Sequence, residues 1–288
     1  PTNELTSMIR GGFTANNNGH IFSNGKNYVS WMWKAGGNKN IFNVDDVGYA
    51  SAAAAGLDGG TITPIGASVG TEQGFSILKY QGNGTAGASI SHGLSEAPKL
   101  MIHKSLDQSR NWYTIYNDGT SQMQYLYLNL TNNILNSAVS APTSNVMHFT
   151  GSAESNNSGE NYIVYMWHDV PGLQKFGTFV GNGSEGSFIE LGFRPAIVLM
   201  KNTTRNDGPW LIHDSTRYPQ NPSIHTMEPH TSDTEASSPV SREIDMLSNG
   251  FRTRGTSVAI NEDGSTIFYA AWAEAPSINL YGAQANAR

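Results

Sequence analysis

Lys79-Tyr80-Gln81-Gly82-Asn83-Gly84-Thr85-Ala86-Gly87 recurs as Thr178-Phe179-Val180-Gly181-Asn182-Gly183-Ser184-Glu185-Gly186, at an offset of 99 residues. A short strand-like run ending on Gly-Asn-Gly is a reversal signal, because glycine and asparagine tolerate the positive φ of a tight turn. Working outward, Gly93 maps to Gly192 at the same offset. Pro98 and Lys104 map to Pro195 and Lys201 after a two-residue deletion, and Trp112 maps to Trp210 after one residue is regained. The chain therefore carries two full copies of one module, expected at 73–170 and 174–275.

The last strand of the module points to a third copy. Asn161-Tyr162-Ile163-Val164-Tyr165-Met166-Trp167 follows Gly159, and Thr266-Ile267-Phe268-Tyr269-Ala270-Ala271-Trp272 follows Gly264. Asn27-Tyr28-Val29-Ser30-Trp31-Met32-Trp33 follows Gly25 with the same spacing, and Gly12-Phe13 resembles Gly250-Phe251. Residues 1–37 are thus expected to be the closing strands of a partial module, packing with upstream chain or a neighbouring subunit because open sheet edges need cover. Period two places Ile163, Tyr165 and Trp167 on one face, as it does Phe268, Ala270 and Trp272, or Val29, Trp31 and Trp33, a stripe expected to be core.

Lys99–His103 and Ala196–Met200 are apolar runs of strand length entered through a proline, which suits interior strands. Residues 38–72, rich in Ala, Gly, Ser and Thr, have no counterpart between the later modules and read as a linker or an extended β-arm. Residues 276–288 read as a C-terminal tail. Helical periodicity is lacking apart from one short helix expected around Ser241–Leu247. The fold class expected is all-β, in tandem β-sandwich modules with short hairpins and little helix.

Composition agrees. The 288 residues suffice for two ordinary domains, and only 14% are charged, with 38% hydrophobic. A formal net charge of −6 lacks the basic face of a nucleic-acid-binding protein. No run reaches the roughly 18 apolar residues of a membrane-crossing helix, so no membrane insertion is expected. Pro1 opens a polar stretch without the layout of a secretory signal, which suggests a fragment or a processed chain. Zero cysteines exclude disulfides and thiolate metal sites.

Candidate chemistry is sparse. His213-Asp214-Ser215 has the letters of a hydrolase triad, but strand neighbours point to opposite faces, so no relay is expected. His225, Glu228 and His230 lie close in sequence, yet Pro229 opposes the helix that a zinc-binding pair wants, and exposed loop residues are the better account. Asp45-Asp46 and Asn261-Glu262-Asp263 hold hard oxygen ligands without the full spacing of a calcium loop, and Asn261–Gly264 reads as an ordinary turn. Trp112 and Trp210 invite a sugar-stacking role, although both head a strand, as a core or sheet-edge aromatic would. No catalytic residue, metal site or cofactor is expected. The longest stretch that differs between modules, Ser215–Ser241, is the candidate contact surface, with His225, Glu228, His230 and Asp233 as its binding residues.

Several segments carry a family resemblance. Trp33-Lys34-Ala35-Gly36-Gly37, Phe42-Asn43-Val44-Asp45-Asp46-Val47-Gly48-Tyr49, Gly74–Gly87, His92-Gly93-Leu94 with Ala97-Pro98, and Ser248-Asn249-Gly250-Phe251 resemble a repeated module of marine bacteriophage virion proteins. The resemblance covers essentially the whole chain. It implies a lectin-like, jelly-roll type sandwich and a non-enzymatic virion protein on the particle exterior. A tail fibre or receptor-binding protein is the leading expectation, with capsid decoration or tail assembly as the alternative and a polysaccharide-degrading tail enzyme behind both. Implied partners are other virion subunits, in a homo-oligomer such as a trimer, and a host cell-surface glycan or protein. The resemblance carries over no functional residues.

Overall fold

A computed structural model describes residues 5–9, 12–16, 23–37, 39–120, 122–184, 186–236 and 241–275. The expected tail at 276–288 lies outside the described residues. The chain divides into two compact units, Pro1–Trp33 and Lys34–Arg288.

The first unit holds a hairpin of β1 (Leu5–Ile9) and β2 (Gly12–Ala15). The second begins with β3 (Phe42–Val44), β4 (Val47–Tyr49), β5 (Gly66–Gly70), β6 (Phe75–Gln81) and β7 (Ser89–Ser91). There follow β8 (Leu100–Ser105), β9 (Tyr113–Tyr116), β10 (Gln122–Tyr127), β11 (Leu135–Ser140) and β12 (Val146–His148). The one-turn helix α1 (Ala153–Asn156) precedes β13 (Asn161–Trp167), which closes module 1. Module 2 comprises β14 (Gln174–Val180), β15 (Phe188–Glu190), β16 (Pro195–Asn202), β17 (Trp210–Asp214), β18 (Ile244–Leu247), β19 (Gly250–Thr253) and β20 (Thr266–Ala273).

The repeat recurs in the order of four strands of each large sheet. Module 1 runs β6-β13-β8-β9 within its large sheet, and module 2 runs β14-β20-β16-β17. Each closing strand pairs antiparallel with two neighbours: Trp167 lies opposite both Phe75 and Leu100, and Trp272 lies opposite Gln174 and Ile197. Each module adds a smaller sheet, β12-β7 in the first and β15-β19-β18 in the second. Val164, Met166 and Met101 from the large sheet share one core with Ile90 and Met147 from the small one. Ile267, Tyr269 and Met200 share another with Ile189, Met246 and Phe251.

A turn lock fixes the end of each closing strand. Gly82 N–H donates to Glu160 O at 2.8 Å and Gly84 N–H to Asn156 O at 2.9 Å; Gly181 and Gly183 repeat these bonds to Ser265 O and Asn261 O, both at 2.9 Å. Asn156 and Asn261, both fully buried, accept from Asn83 N–H at 2.9 Å and Asn182 N–H at 3.1 Å. They donate onward to Thr85 O at 3.0 Å and Ser184 O at 2.6 Å. The first glycine is required by close approach: a Cβ at Gly82 would stand 2.3 Å from Asn157 O, and one at Gly181 would stand 2.2 Å from Glu262 O. The second is required by conformation, with φ of 70° at Gly84 and 63° at Gly183.

In the two full modules the aromatic stripe is largely buried, but not inside a module; in the first unit it is not core, since Val29 and Trp31 are half-buried and Trp33 is exposed. Trp167, Phe268, Ala270 and Trp272 join Phe75, Leu100, Phe176 and Trp210 in a third cluster, with Tyr165 and Ile77 packed against it. Trp167 meets Trp272 edge to face at 6.1 Å, and Tyr116 lies 4.8 Å from Phe268. The outer faces of the two large sheets therefore pack against each other. Polar bonds cross the same seam, among them Ile134 N–H to Thr203 O at 2.8 Å and Gln174 Nε2 to Gly74 O at 3.0 Å.

One alternative resolves and two expectations change. Residues 38–72 act as an arm rather than a linker, since β5 pairs with β6 and β3 runs parallel to β5, extending the large sheet to nine strands. The helix expected around Ser241–Leu247 is strand β18, because Ile244–Leu247 pairs with Gly250–Thr253 across a tight turn. Asn27–Trp33 forms no strand. In the complete modules the equivalent segment is held by β6 and β8 or by β14 and β16, and β1 and β2 correspond to neither pair. The hairpin does follow the module pattern: Ile9 lies opposite Gly12 and Met8 opposite Phe13, as Leu247 lies opposite Gly250 and Met246 opposite Phe251.

The lock makes a paired prediction. Asn156→Ala leaves the Asn83 N–H and Thr85 carbonyl without their buried partner and should cost about 1–3 kcal/mol. Asn261→Ala should cost a similar amount, and the two should add because they sit in different modules. Denaturant unfolding of both single variants and the double variant measures this; a neutral single variant would show the lock to be dispensable.

Candidate functional site

The divergent segment after β17 is strapped to its module. Ile212 and Met227 exchange backbone N–H···O bonds at 2.8 and 3.1 Å, Ser223 bridges to Ile244, and Thr226 bridges to Ala236. In module 1 the corresponding edge, β9, is covered by β10 and β11 instead. The two modules thus cap one edge in different ways, as natural sheets require.

Charged pairs hold the strap. Arg217 bonds Asp214 and Glu235, His225 Nδ1 lies 2.9 Å from Glu235 Oε2, and Arg242 bonds Glu228. His225 stacks on Tyr218 at 4.5 Å, and His230 Nε2 approaches Glu228 at 3.4 Å. His225, Glu228 and His230 are therefore half-buried members of this network rather than exposed loop residues, while Asp233 is exposed. The structure brings His225 to Glu235 and His230 to Glu228 without assembling one centre. Among the described residues, no three His, Asp or Glu side chains are placed to hold a metal ion.

The triad letters separate as strand geometry demands. His213 is fully buried, with Nδ1 3.4 Å from Ser223 Oγ, whereas the Asp214 carboxylate turns to Arg217 and to the Thr216 and Arg217 backbone N–H groups. The acidic pairs are turns. Asp45 and Asp46 both have positive φ, 48° and 66°, and link β3 to β4, with Asp45 accepting from Thr71 N–H at 2.8 Å and Asp46 meeting Lys34 at 2.9 Å. Glu262 bonds Arg205 at 2.9 Å and Ser265 at 2.7 Å.

The two equivalent tryptophans have opposite fates. Trp210 is wholly buried at the seam, its Nε1–H donating to Tyr127 O at 2.8 Å, so it presents no face to a sugar. Trp112 keeps 38% of its surface exposed. Its N–H donates to Asn129 Oδ1 at 2.9 Å, and the adjoining Asn111 N–H donates to Glu154 at 3.0 Å. Beside them, Arg110 grips Glu160 with bonds of 2.7 and 2.8 Å, holding that carboxyl down at about 2. Sequence spacing could not separate Trp112 from Trp210, because the difference arises only when the modules dock.

A cleft of about 360 Å³ opens in module 1 between Gly56, Gly59, Ser91, Gly93 and Leu94 on one side and Ser144, Asn145 and Val146 on the other. Its lining mixes glycine backbone, serine hydroxyl and Asn145 amide with the apolar side chains of Leu94 and Val146. The arm contributes Gly56 and Gly59, and Gly93 and Leu94 come from the His92-Gly93-Leu94 segment.

These features define a tandem all-β protein of two repeated modules with different edge caps. The chain belongs to the family described as Domain of unknown function (DUF7483), which matches residues 1–276. No curated protein and no solved structure matches it.

Each module also buries a histidine. Tyr80 Oη donates to Ser155 O at 2.5 Å, so His103 Nδ1, 3.1 Å away, serves as donor to that hydroxyl, in the neutral Nδ1–H tautomer. Burial lowers His103 from 6.5 to about 3, and burial reinforced by Arg217 does the same for His213. Folded, both bind fewer protons than the unfolded chain below pH 6.5, so stability is complete above that value and declines as pH falls toward 3. The slope approaches about 1.4 kcal/mol per histidine per pH unit. Thermal unfolding should show a lower Tm at pH 5 than at pH 7, with a smaller difference in His213→Leu. Equal pH sensitivity in that variant would remove His213 from the account.

Proposed function

We propose that the chain is a non-catalytic virion structural protein that displays the strapped loop of module 2 for host-surface attachment, as part of a tail fibre or receptor-binding assembly. The observation that carries this reading is the pairing of an invariant scaffold with a variable cap. Both modules share strand order, turn lock and buried asparagine, yet they differ in what covers the edge of β9 and β17. Rigid sandwiches that carry recognition do so on such loops. The lectin-like, jelly-roll description belongs to the same reading, supported by the two-sheet modules and by the resemblance to phage virion proteins.

The cap suits a polar partner. Tyr218 and His225 offer a stacked aromatic pair, Asp233 is exposed, and Arg217 and Glu235 fix the backbone beneath them. A host glycan or a polar protein loop has the complementary chemistry, and the exposed face of Trp112 is a second stacking surface.

The test is adsorption of labelled full-length protein to host cells. His225→Ala with Asp233→Ala is expected to cut binding by about tenfold or more, as loss of contact residues does, with a modest fall in Tm because His225 also ties the strap to Glu235. Trp112→Ala is expected to weaken binding less. Unchanged adsorption in both variants, together with a virion reconstruction placing the chain away from any host-facing surface, would favour capsid decoration or tail assembly instead.

A further inference from the structure

The two large sheets end differently on the side of their first strand. In module 1, β6 is interior: Ser68 lies opposite Ile77 and Gly66 opposite Lys79, and Ile65 N–H donates to Lys79 O at 2.8 Å. The equivalent strand of module 2, β14, is the terminal strand of its sheet. The turn before it covers only its start, where Gln174 N–H donates to Val170 O at 3.0 Å and Phe176 N–H to Asp169 Oδ1 at 2.8 Å. Beyond Phe176, no strand lies alongside among the described residues.

The register shows which groups face outward. Ala273 N–H donates to Leu173 O, and Gly181 N–H donates to Ser265 O, so odd-numbered residues of this strand bond β20. Thr178 and Val180 therefore direct their backbone N–H and C=O away from the sheet, at the positions that Lys79 and Gln81 occupy in module 1. Both are exposed, Val180 at 60%. Natural edges are blunted by proline, bulges or charge. Thr178-Phe179-Val180 has none of these, and the nearby Lys175 ammonium is engaged with Glu190 O at 2.9 Å.

We propose that β14 pairs antiparallel with β14 of a second copy of this chain, closing a two-fold dimer. The two open residues are self-complementary about Phe179. Thr178 of each copy falls opposite Val180 of the other, exchanging both backbone bonds, and the two Phe179 residues face each other in the closer, non-hydrogen-bonded pair. Pairing stops at Phe176, whose N–H already belongs to Asp169, and at Gly181, which bonds inward. A strand pairing with itself is an isologous contact, so the assembly closes at two copies instead of growing. The inference does not depend on the attachment reading.

Light scattering of the full chain over a concentration series tests it. The parent is expected at twice the 31.1 kDa chain mass. Val180→Lys places a charge on the edge, and Thr178→Pro removes the outward N–H while leaving the bonds to β20 intact; each is expected to weaken dimerisation by roughly tenfold or more. Val47→Lys, on the exposed edge strand of the other large sheet, is expected to leave the mass unchanged. Far-UV circular dichroism matching the parent establishes that the variants fold. A monomeric parent, a trimer or growing species, a dimer indifferent to both β14 variants, or a dimer broken by Val47→Lys would overturn the proposal.

Discussion

The structure depends on a strand that is buried on both faces. β13 and β20 each bond a neighbour on either side, direct alternate residues into their own module, and direct the remainder into the seam between modules. Tyr162, Val164 and Met166 serve the inner core while Tyr165 and Trp167 serve the seam. In β20 the same division separates Ile267, Tyr269 and Ala271 from Phe268, Ala270 and Trp272. A strand under this constraint is apolar almost throughout, unlike the alternating pattern of a sheet with one wet face. Asn27–Trp33 carries the closing-strand composition without being a strand.

Because the closing strand serves two cores, its register must be fixed, since a one-residue slip would exchange every side chain between them. The buried asparagine and the Gly-Asn-Gly turn provide that anchor at its entry, through backbone bonds that recur in both modules. The seam is asymmetric where the anchor is not. Trp210 and Lys201 of module 2 reach into module 1, with Lys201 Nζ donating to Thr131 O at 2.7 Å, while Trp112 stays at the surface. Burial lowers that lysine from 10.5 to about 8.

The edges of the sheets are where the modules diverge. β9 is covered by a further hairpin, β17 by a strap held with ion pairs, and β6 by the arm that carries β5. Each solution satisfies the same backbone demand with different side chains on the outside. A repeat protein can keep its interior constant and change its surface in this way, and the strapped loop, the cleft of module 1 and the open end of β14 all arise from it.

Much of this was legible in the residues, for a local reason. The repeat, the turn glycines, the interior strands at Leu100–Ser105 and Pro195–Asn202, and the separation of His213 from Ser215 follow from turn chemistry and two-residue periodicity, which need no distant partner. What tertiary structure alone decided concerns segments whose neighbours are remote in sequence. Ser241–Leu247 had a helical look until β19 claimed it as a strand, and 38–72 had no periodicity until it met β6. His225, Glu228 and His230 sit in a segment with loop composition, and only the ion pairs of Arg217 to Glu235 and Arg242 to Glu228 half-bury it. The closing strand shows the same division: its composition set one face as buried, but only the docking of two sheets decided that the other face was covered too, because area removed from water is a property of pairs of surfaces.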